Sequence, residues 1–191
     1  MYLENIPSDL KDRLRSAGVN LKVDTVFCLV KIRAIEKGLQ GVTPLHAVRF
    51  LIMFRPGTQL RVDLLALPDL TAWHKHEKSC FDKMVANLIR AAKDDEVINT
   101  ANFKRIRKKG CRGLNEVRAG GEKARLFYFH DTDKGRTIVT TGAYRKQGRA
   151  RQKEHIAQDR AIDAAGELMH QWRAADPVAQ LDGFRVLKGR V

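Results

Sequence analysis

The sequence predicts an α+β protein: a helical N-terminal unit, then a twisted antiparallel sheet with helices packed on one face. Three observations lead there. Between Phe103 and Tyr144, short apolar and aromatic runs are broken by glycines and alternate at strand period. Upstream, Phe81, Val85, Leu88, Ile89 and Ala92 repeat at i, i+4, i+7, i+8, i+11, the stripe of an amphipathic helix. Residues 1–55 carry helix stops and starts, with Gly38 after one apolar-periodic segment and Thr43-Pro44 before the next.

From the N-terminus, Ser8 and Asp9 open a short polar helix that stops near Gly18. Residues 23–37 read as a stronger helix. Val26, Val30 and the Phe27, Ala34, Ile35 group fall at helical spacing, and Gly38 serves as its C′ residue. Thr43-Pro44 supplies an N-cap followed by proline at N1, and Leu45, Val48, Leu51 and Ile52 form the apolar side of a third helix. Arg55-Pro56-Gly57 ends it and marks a boundary. Residues 1–58 are thus a helical N-terminal extension, residues 59–175 the main domain and residues 176–191 a tail.

Residues 60–67 read as a strand that Pro68 ends. Ser79 and Asp82 resemble a capping box at the start of the amphipathic helix, which stops near Asp94-Asp95, where negative charge opposes the helix dipole. Residues 103–108 form a first short strand, broken by Gly110 and Gly113. Residues 114–118 form the second, with Leu114, Glu116 and Arg118 on one face and Asn115 and Val117 on the other. Gly120-Gly121 is a hairpin signal. Residues 124–130 form the central strand, residues 131–135 a turn and residues 136–144 the fourth strand. Residues 152–173 are a long helix with Ile156, Ala161, Ala164, Ala165, Leu168 and Trp172 as its buried stripe, and Asp176-Pro177 ends it. The tail adds an edge strand or lies on the surface.

The charge is local. Of the net +14, residues 104–153 hold sixteen Lys or Arg against four Asp or Glu. Interleaved with strand-forming apolar residues, they should appear as one patch on a folded surface, which points to a polyanion, most often nucleic acid. The competing reading is a solvated basic surface that keeps the chain soluble. Apolar runs VFCLV and FLIMF are too short to span a bilayer, and the basic stretch reads as strands rather than a membrane-surface helix, so no membrane partner is expected. The first twelve residues lack the pattern of a signal peptide. Cys28, Cys80 and Cys111 are odd in number and widely spaced, fitting neither a disulfide framework nor a zinc site, and read as reduced thiols of a cytoplasmic protein. His74 and His76, at i, i+2, do not share a helical face, and His46 reads as a packed or surface residue. Neither a metal nor another cofactor is expected.

Gly113-Leu114-Asn115-Glu116-Val117-Arg118, the Arg-aromatic strand Ala124-Arg125-Leu126-Phe127-Tyr128-Phe129, the basic turn Tyr144-Arg145-Lys146 and the Ala- and Arg-containing helix from Ile156 to Ala165 follow one another in a telling order. In that order, residues 79–168 resemble the RelE/ParE superfamily of bacterial toxins, especially its HigB-like, phage-derived branch. The chain departs from the family pattern at Ala143, where a Phe precedes the dibasic pair, in lacking a proline after that pair, and in residues 1–58, which have no counterpart in the compact toxins.

The resemblance implies a RelE-like sheet and metal-independent cleavage of messenger RNA, usually on the ribosome, with an acidic antitoxin as partner. The RNA 2′-hydroxyl attacks the neighbouring phosphorus, so the protein's task is to align the attack and stabilise phosphoryl charge. Arginine's fork suits that task. Arg125 is the expected phosphate clamp, with Arg118 beside it on the adjacent strand. Arg145 and Lys146 would bind backbone phosphates or protonate the leaving oxygen, and Tyr144 would stack on a base or move a proton. Lys104, Arg107, Lys108, Lys109, Arg149 and Arg151 would extend the RNA path. Glu116 reads as an ion-pair partner of a neighbouring arginine ahead of a base, His130 and His155 as possible acid or base groups, although lone histidines at a strand end and early in a helix are more often not catalytic, and Tyr128 as core. Three alternatives stand beside the nuclease. One is a non-catalytic module that holds nucleic acid or an acidic partner, one a gyrase-poisoning toxin on the same scaffold, and one a phage regulator. The N-terminal helices offer a homodimer interface or a brake over the patch.

Overall fold

A computed structural model describes residues 10–20, 22–56, 61–93, 100–119, 123–132, 136–148, 150–181 and 184–189. The elements are α1 (Leu10–Ser16), β1 (Thr25–Val30), α2 (Arg33–Gly38), β2 (Ala47–Arg55), β3 (Arg61–Asp63), α3 (Leu67–His76) and α4 (Lys78–Ala92). They continue with β4 (Phe103–Arg105), β5 (Leu114–Ala119), β6 (Ala124–Asp131), β7 (Thr137–Arg145), α5 (Arg151–Ala174), β8 (Asp176–Leu181) and β9 (Phe184–Gly189). The chain is mixed α+β. Its strands form one sheet in the order β4-β5-β6-β7-β2-β1-β9-β8, with β3 against β2.

The N-terminal unit differs most from the expectation. Where the sequence predicts helices over residues 23–37 and from Pro44 to Arg55, the chain forms β1 and β2, paired antiparallel, with only the short α2 between them. The reason is burial on both faces. Val26, Cys28, Phe50, Ile52 and Phe54 enter one core layer while Phe27, Leu29, Leu51 and Met53 enter the other. Such a strand reads as a continuous apolar run, which a short window cannot tell from a buried helix. β2 then pairs parallel to β7, from Ala47↔Thr137 to Phe50↔Thr140. The boundary expected at residue 58 therefore does not separate residues 25–55 from the sheet, and the sheet is not wholly antiparallel.

Helices cover both faces rather than one. Leu14 of α1, Ile35 of α2, Leu70 and Trp73 of α3, and Phe81, Met84 and Leu88 of α4 lie in the layer with Val117, Leu126, Tyr128 and Ile138. The opposite layer holds Ile162, Ala165, Met169 and Trp172 of α5 with Leu114, Phe127, Phe129 and Val139. The α4 stripe is buried as expected, with Ile89 packed against it only in part. The α5 stripe is rotated from the expected one: Ile156 and Ala164 are exposed, while Ile162 and Met169 are buried. Pro68 opens α3 instead of ending a strand, as suits a residue with fixed φ and no N–H. Ser79 lies inside α4, whose N-cap is Glu77 without a side-chain cap bond, so the capping box does not form. Residues 103–105 are strand but 106–108 are not, and the tail supplies β8 at the sheet edge and β9 between it and β1. The expected turns at Gly120-Gly121 and Gly135, and Asp94-Asp95, lie outside the described residues.

Two contacts fix α5 to the sheet and the β4–β5 loop. The Trp172 indole N–H donates to Asp131 Oδ2 at 2.9 Å, both residues being buried. Gly166 sits over Cys111 so closely that a Cβ there would meet Cys111 Sγ at 2.7 Å. In an exposed helix Gly→Ala stabilises by about 1 kcal/mol. Here overpacking reverses the sign, and Gly166→Ala is expected to lower stability by about 1–3 kcal/mol. In a chain that also carries Cys111→Ala the same change costs much less, because the sulfur is gone. Urea denaturation of the four proteins of this cycle checks it; purely additive costs would contradict the contact.

Candidate nucleic-acid interface

Strand register builds the site. Arg118 on β5 pairs with Arg125 on β6, and Arg125 pairs with Tyr144 on β7, so three of the expected residues form one row across three strands. A register shift at Phe127/Tyr128 sets Phe127 opposite Gly142 and Tyr128 opposite Thr140, leaving Thr141 as the extra residue. This bulge re-aims the end of β7. Tyr144 joins the α5 layer, and its hydroxyl donates to the Glu154 carboxylate and to the Glu154 carbonyl at 3.2 Å. Arg145, the next residue, turns to the other face and pairs with Glu77 between α3 and α4.

The expected clamp is not at the surface. Glu116 is fully buried and Arg125 is 3 % exposed, and their side chains are hydrogen-bonded. Arg118 bonds the same Glu116 oxygen through Nε, and its side chain is 11% exposed. Within this triad Glu116 Oε2 and Arg125 Nε are buried with no hydrogen-bond partner among the described residues. Arg125 thus serves the interior, which corrects its assignment as a phosphate ligand, and Glu116 is the ion-pair partner the sequence favours. Tyr128 is core, as expected. His130 lies edge-on to His46 at 4.8 Å between ring centroids.

The exposed charge forms two groups rather than one patch. One is a cleft of about 800 Å³ between the ends of β6 and β7 and the first turns of α5, lined by Lys123, Arg145, Lys146, Arg151, Glu154 and His155 among others. Lys123, Lys146 and Arg151 face one carboxylate there, while the Arg145 guanidinium is held by Glu77. Glu154 organises its floor, because Gln147 N–H donates to both carboxylate oxygens, at 3.2 and 3.3 Å, alongside the Tyr144 hydroxyl. The first turn of α5 adds the positive end of a 24-residue helix. The other group is at the opposite end of β5, where Arg107 and Lys109 are exposed on the β4–β5 loop. Lys104 is exposed on the edge strand β4. Lys108 is spoken for: its ammonium bonds Asp163 at 2.7 Å, and this bond holds its pKa above the ordinary lysine value. Arg149 lies outside the described residues.

Sequence reasoning missed Lys123 and the organising role of Glu154; both line the cleft together with His155, which it weighed as a possible acid or base. An acid in the first turn of α5 is the signal that could have found Glu154. Among the described residues, no cluster of three or more His, Cys, Asp or Glu could hold a metal ion, and no helix is long and apolar enough to cross a membrane. All three cysteines are buried thiols, and burial pushes the Cys28 thiol up to about 12. Comparison with known proteins finds no matching family, no matching curated protein and no matching solved structure.

Removing one partner of a buried ion pair strands the other charge, at a cost of about 3–5 kcal/mol. Glu116→Leu should show a loss of that size in chemical denaturation. Glu116→Leu combined with Arg125→Met should recover part of it, since of the two guanidiniums only that of Arg118, which still reaches solvent, then lacks its carboxylate. A loss below about 1 kcal/mol for Glu116→Leu, as for an exposed pair, would contradict the buried triad.

Proposed function

We propose that this protein is a toxin-type endoribonuclease that acts on messenger RNA in the cytoplasm without a metal, on a RelE/ParE-like scaffold of the HigB type. The observation that carries the reading is the cleft at the start of α5, where Lys123, Arg145, Lys146 and Arg151 surround one concave site with an imidazole, His155, at its wall. Further support comes from the succession helix, short strand, Glu-x-Arg strand, Arg-aromatic strand, strand, basic turn and helix, which is the order of elements from α4 to α5.

In this reading the substrate brings its own nucleophile. The 2′-hydroxyl loses its proton as it attacks the adjacent phosphorus, a cyclic phosphate forms, and the 5′ oxygen leaves with a proton. Lys146, Arg151 and Lys123 hold the phosphoryl oxygens and take up the charge that develops on them. Arg118, mostly buried at the end of β5, is positioned by Glu116, and Arg125 supplies the buried countercharge behind it. His155 transfers the proton, since an imidazole can both donate and accept one. Tyr144, held by Glu154, orients the cleft floor. An acidic antitoxin would cover the same cations.

A second reading is a binding protein on the same scaffold that does not cut. It is favoured by one observation: of the five expected catalytic side chains, Arg125 is sequestered by Glu116, Tyr144 by Glu154 and Arg145 by Glu77. The test uses purified protein and single-stranded RNA in chelator. Cleavage leaving 5′-hydroxyl and cyclic phosphate ends is expected. Lys146→Glu/Arg151→Glu should weaken binding at least about tenfold and abolish cleavage. His155→Gln should keep binding and slow cleavage by roughly 100-fold. Tight binding with intact RNA would replace the nuclease by the binding protein, and no binding would remove both.

A further inference from the structure

The loop between β4 and β5 is built unlike a passive surface turn. Its underside is fastened: Ile106 and Cys111 are buried, Cys111 lies beneath Gly166, the His170 ring bonds the Gly110 carbonyl, and Lys108 is tied to Asp163. Gly110 (φ +79) and Gly113 (φ +94) make the left-handed turns this needs. Its outer side shows Arg107, Lys109 and Arg112, all exposed and, among the described residues, in no ion pair. A rigid frame thus holds three cations outward, with no carboxylate of the described residues paired to them.

These cations are connected to the cleft. Lys104 pairs in register with Glu116, so its exposed side chain shares the face of Glu116 and Arg118. Lys104 and Arg118 therefore stand between the loop, at the start of β5, and the cleft, beyond its end. Four residues separate Leu114 from Arg118, about 14 Å at 3.4 Å per residue. With the loop and cleft added at either end, the line is about 20 Å long, the span of roughly six stacked nucleotides at 3.4 Å each. Among the described residues the exposed large apolar ones are Val23, Val42, Leu45, Val62 and Ile156, none of them on β4, β5 or this loop. A protein partner would need an apolar centre to bury. A phosphate chain needs only the charge.

We infer that a single-stranded RNA runs from the cleft past Arg118 and Lys104 along the β4–β5 edge, and that Arg107, Lys109 and Arg112 form its second anchor. This rests on the reading that the cleft takes RNA. It makes the substrate a single strand of at least about six nucleotides, because both anchors must be reached at once.

The test compares a three-nucleotide and a twelve-nucleotide single-stranded RNA by fluorescence anisotropy. The proteins are the wild type, Lys146→Glu/Arg151→Glu in the cleft and Arg107→Glu/Lys109→Glu/Arg112→Glu in the loop. The corresponding Gln triple is included in case charge reversal disturbs folding. The wild type should bind the twelve-mer at least about tenfold tighter than the three-mer. The loop variants should erase that advantage, leave the three-mer unchanged, and reduce the slope of log affinity against log salt by about 2, at roughly 0.7 per phosphate contact. If the loop variants bind the twelve-mer like wild type while the cleft variant fails, the second anchor is wrong and the cleft stands. If the wild type binds neither RNA, both are wrong. Equal binding of a twelve-base-pair duplex, or of poly-glutamate in place of RNA, would overturn the single-strand assignment.

Discussion

Helix α5 lies across β5, β6 and β7 and is fixed at three points along its length. In its first turn Glu154 takes the Tyr144 hydroxyl; in its middle Gly166 admits Cys111; near its end Trp172 donates to buried Asp131. Everything functional in the proposed reading hangs from these points. The first forms the floor of the cleft and brings the positive end of the helix beside Lys123, Lys146 and Arg151. The second holds the β4–β5 loop against the helix, so its arginines and lysine face outward. The third closes the apolar layer of Phe27, Phe127, Phe129 and Val139 against solvent.

The buried triad is the counterpart of this arrangement inside the sheet. One carboxylate faces two guanidiniums, and each charge has lost most of its water. Such a group costs several kcal/mol per ion before the attraction between partners offsets it. A chain optimised for stability alone would put apolar residues there. Its use here is positional: Glu116 sets Arg118 at the edge between the loop and the cleft, and Arg125 balances the carboxylate from behind. Asn87 of α4 donates to the Arg118 carbonyl at 2.9 Å, so the backbone beneath that arginine is held from the opposite face as well.

How much of this could be read in the sequence depends on which faces of an element are buried. α4 and strands β5 to β7 were legible because helical period and glycine breaks each leave a distinct mark. β1 and β2 were not. Val26 to Val30 and Phe50 to Phe54 are buried on both faces, and a short run apolar at every position has no strand period to detect. The same limit applies to the site. The cations were visible as composition, but composition does not say which way a side chain points. The bulge at Phe127/Tyr128 decides which face Tyr144 and Arg145 each take, and the pairing of β5 with β6 drives Arg125 onto Glu116. Both are long-range consequences of register, invisible in any local window. Lys123 meets Lys146 through the pairing of β6 with β7, and His155 joins them only because α5 returns across the end of β7.

The central claim is that phosphates of RNA sit at the start of α5. The most direct measurement is photo-cross-linking of a thiouridine-labelled single strand to the full chain, with the linked peptides identified by mass spectrometry. The account requires cross-links within residues 144–155 and at Lys123, and none on the α3–α4 face. Cross-links confined to α3 or α4, or spread evenly over every exposed lysine and arginine, would contradict it.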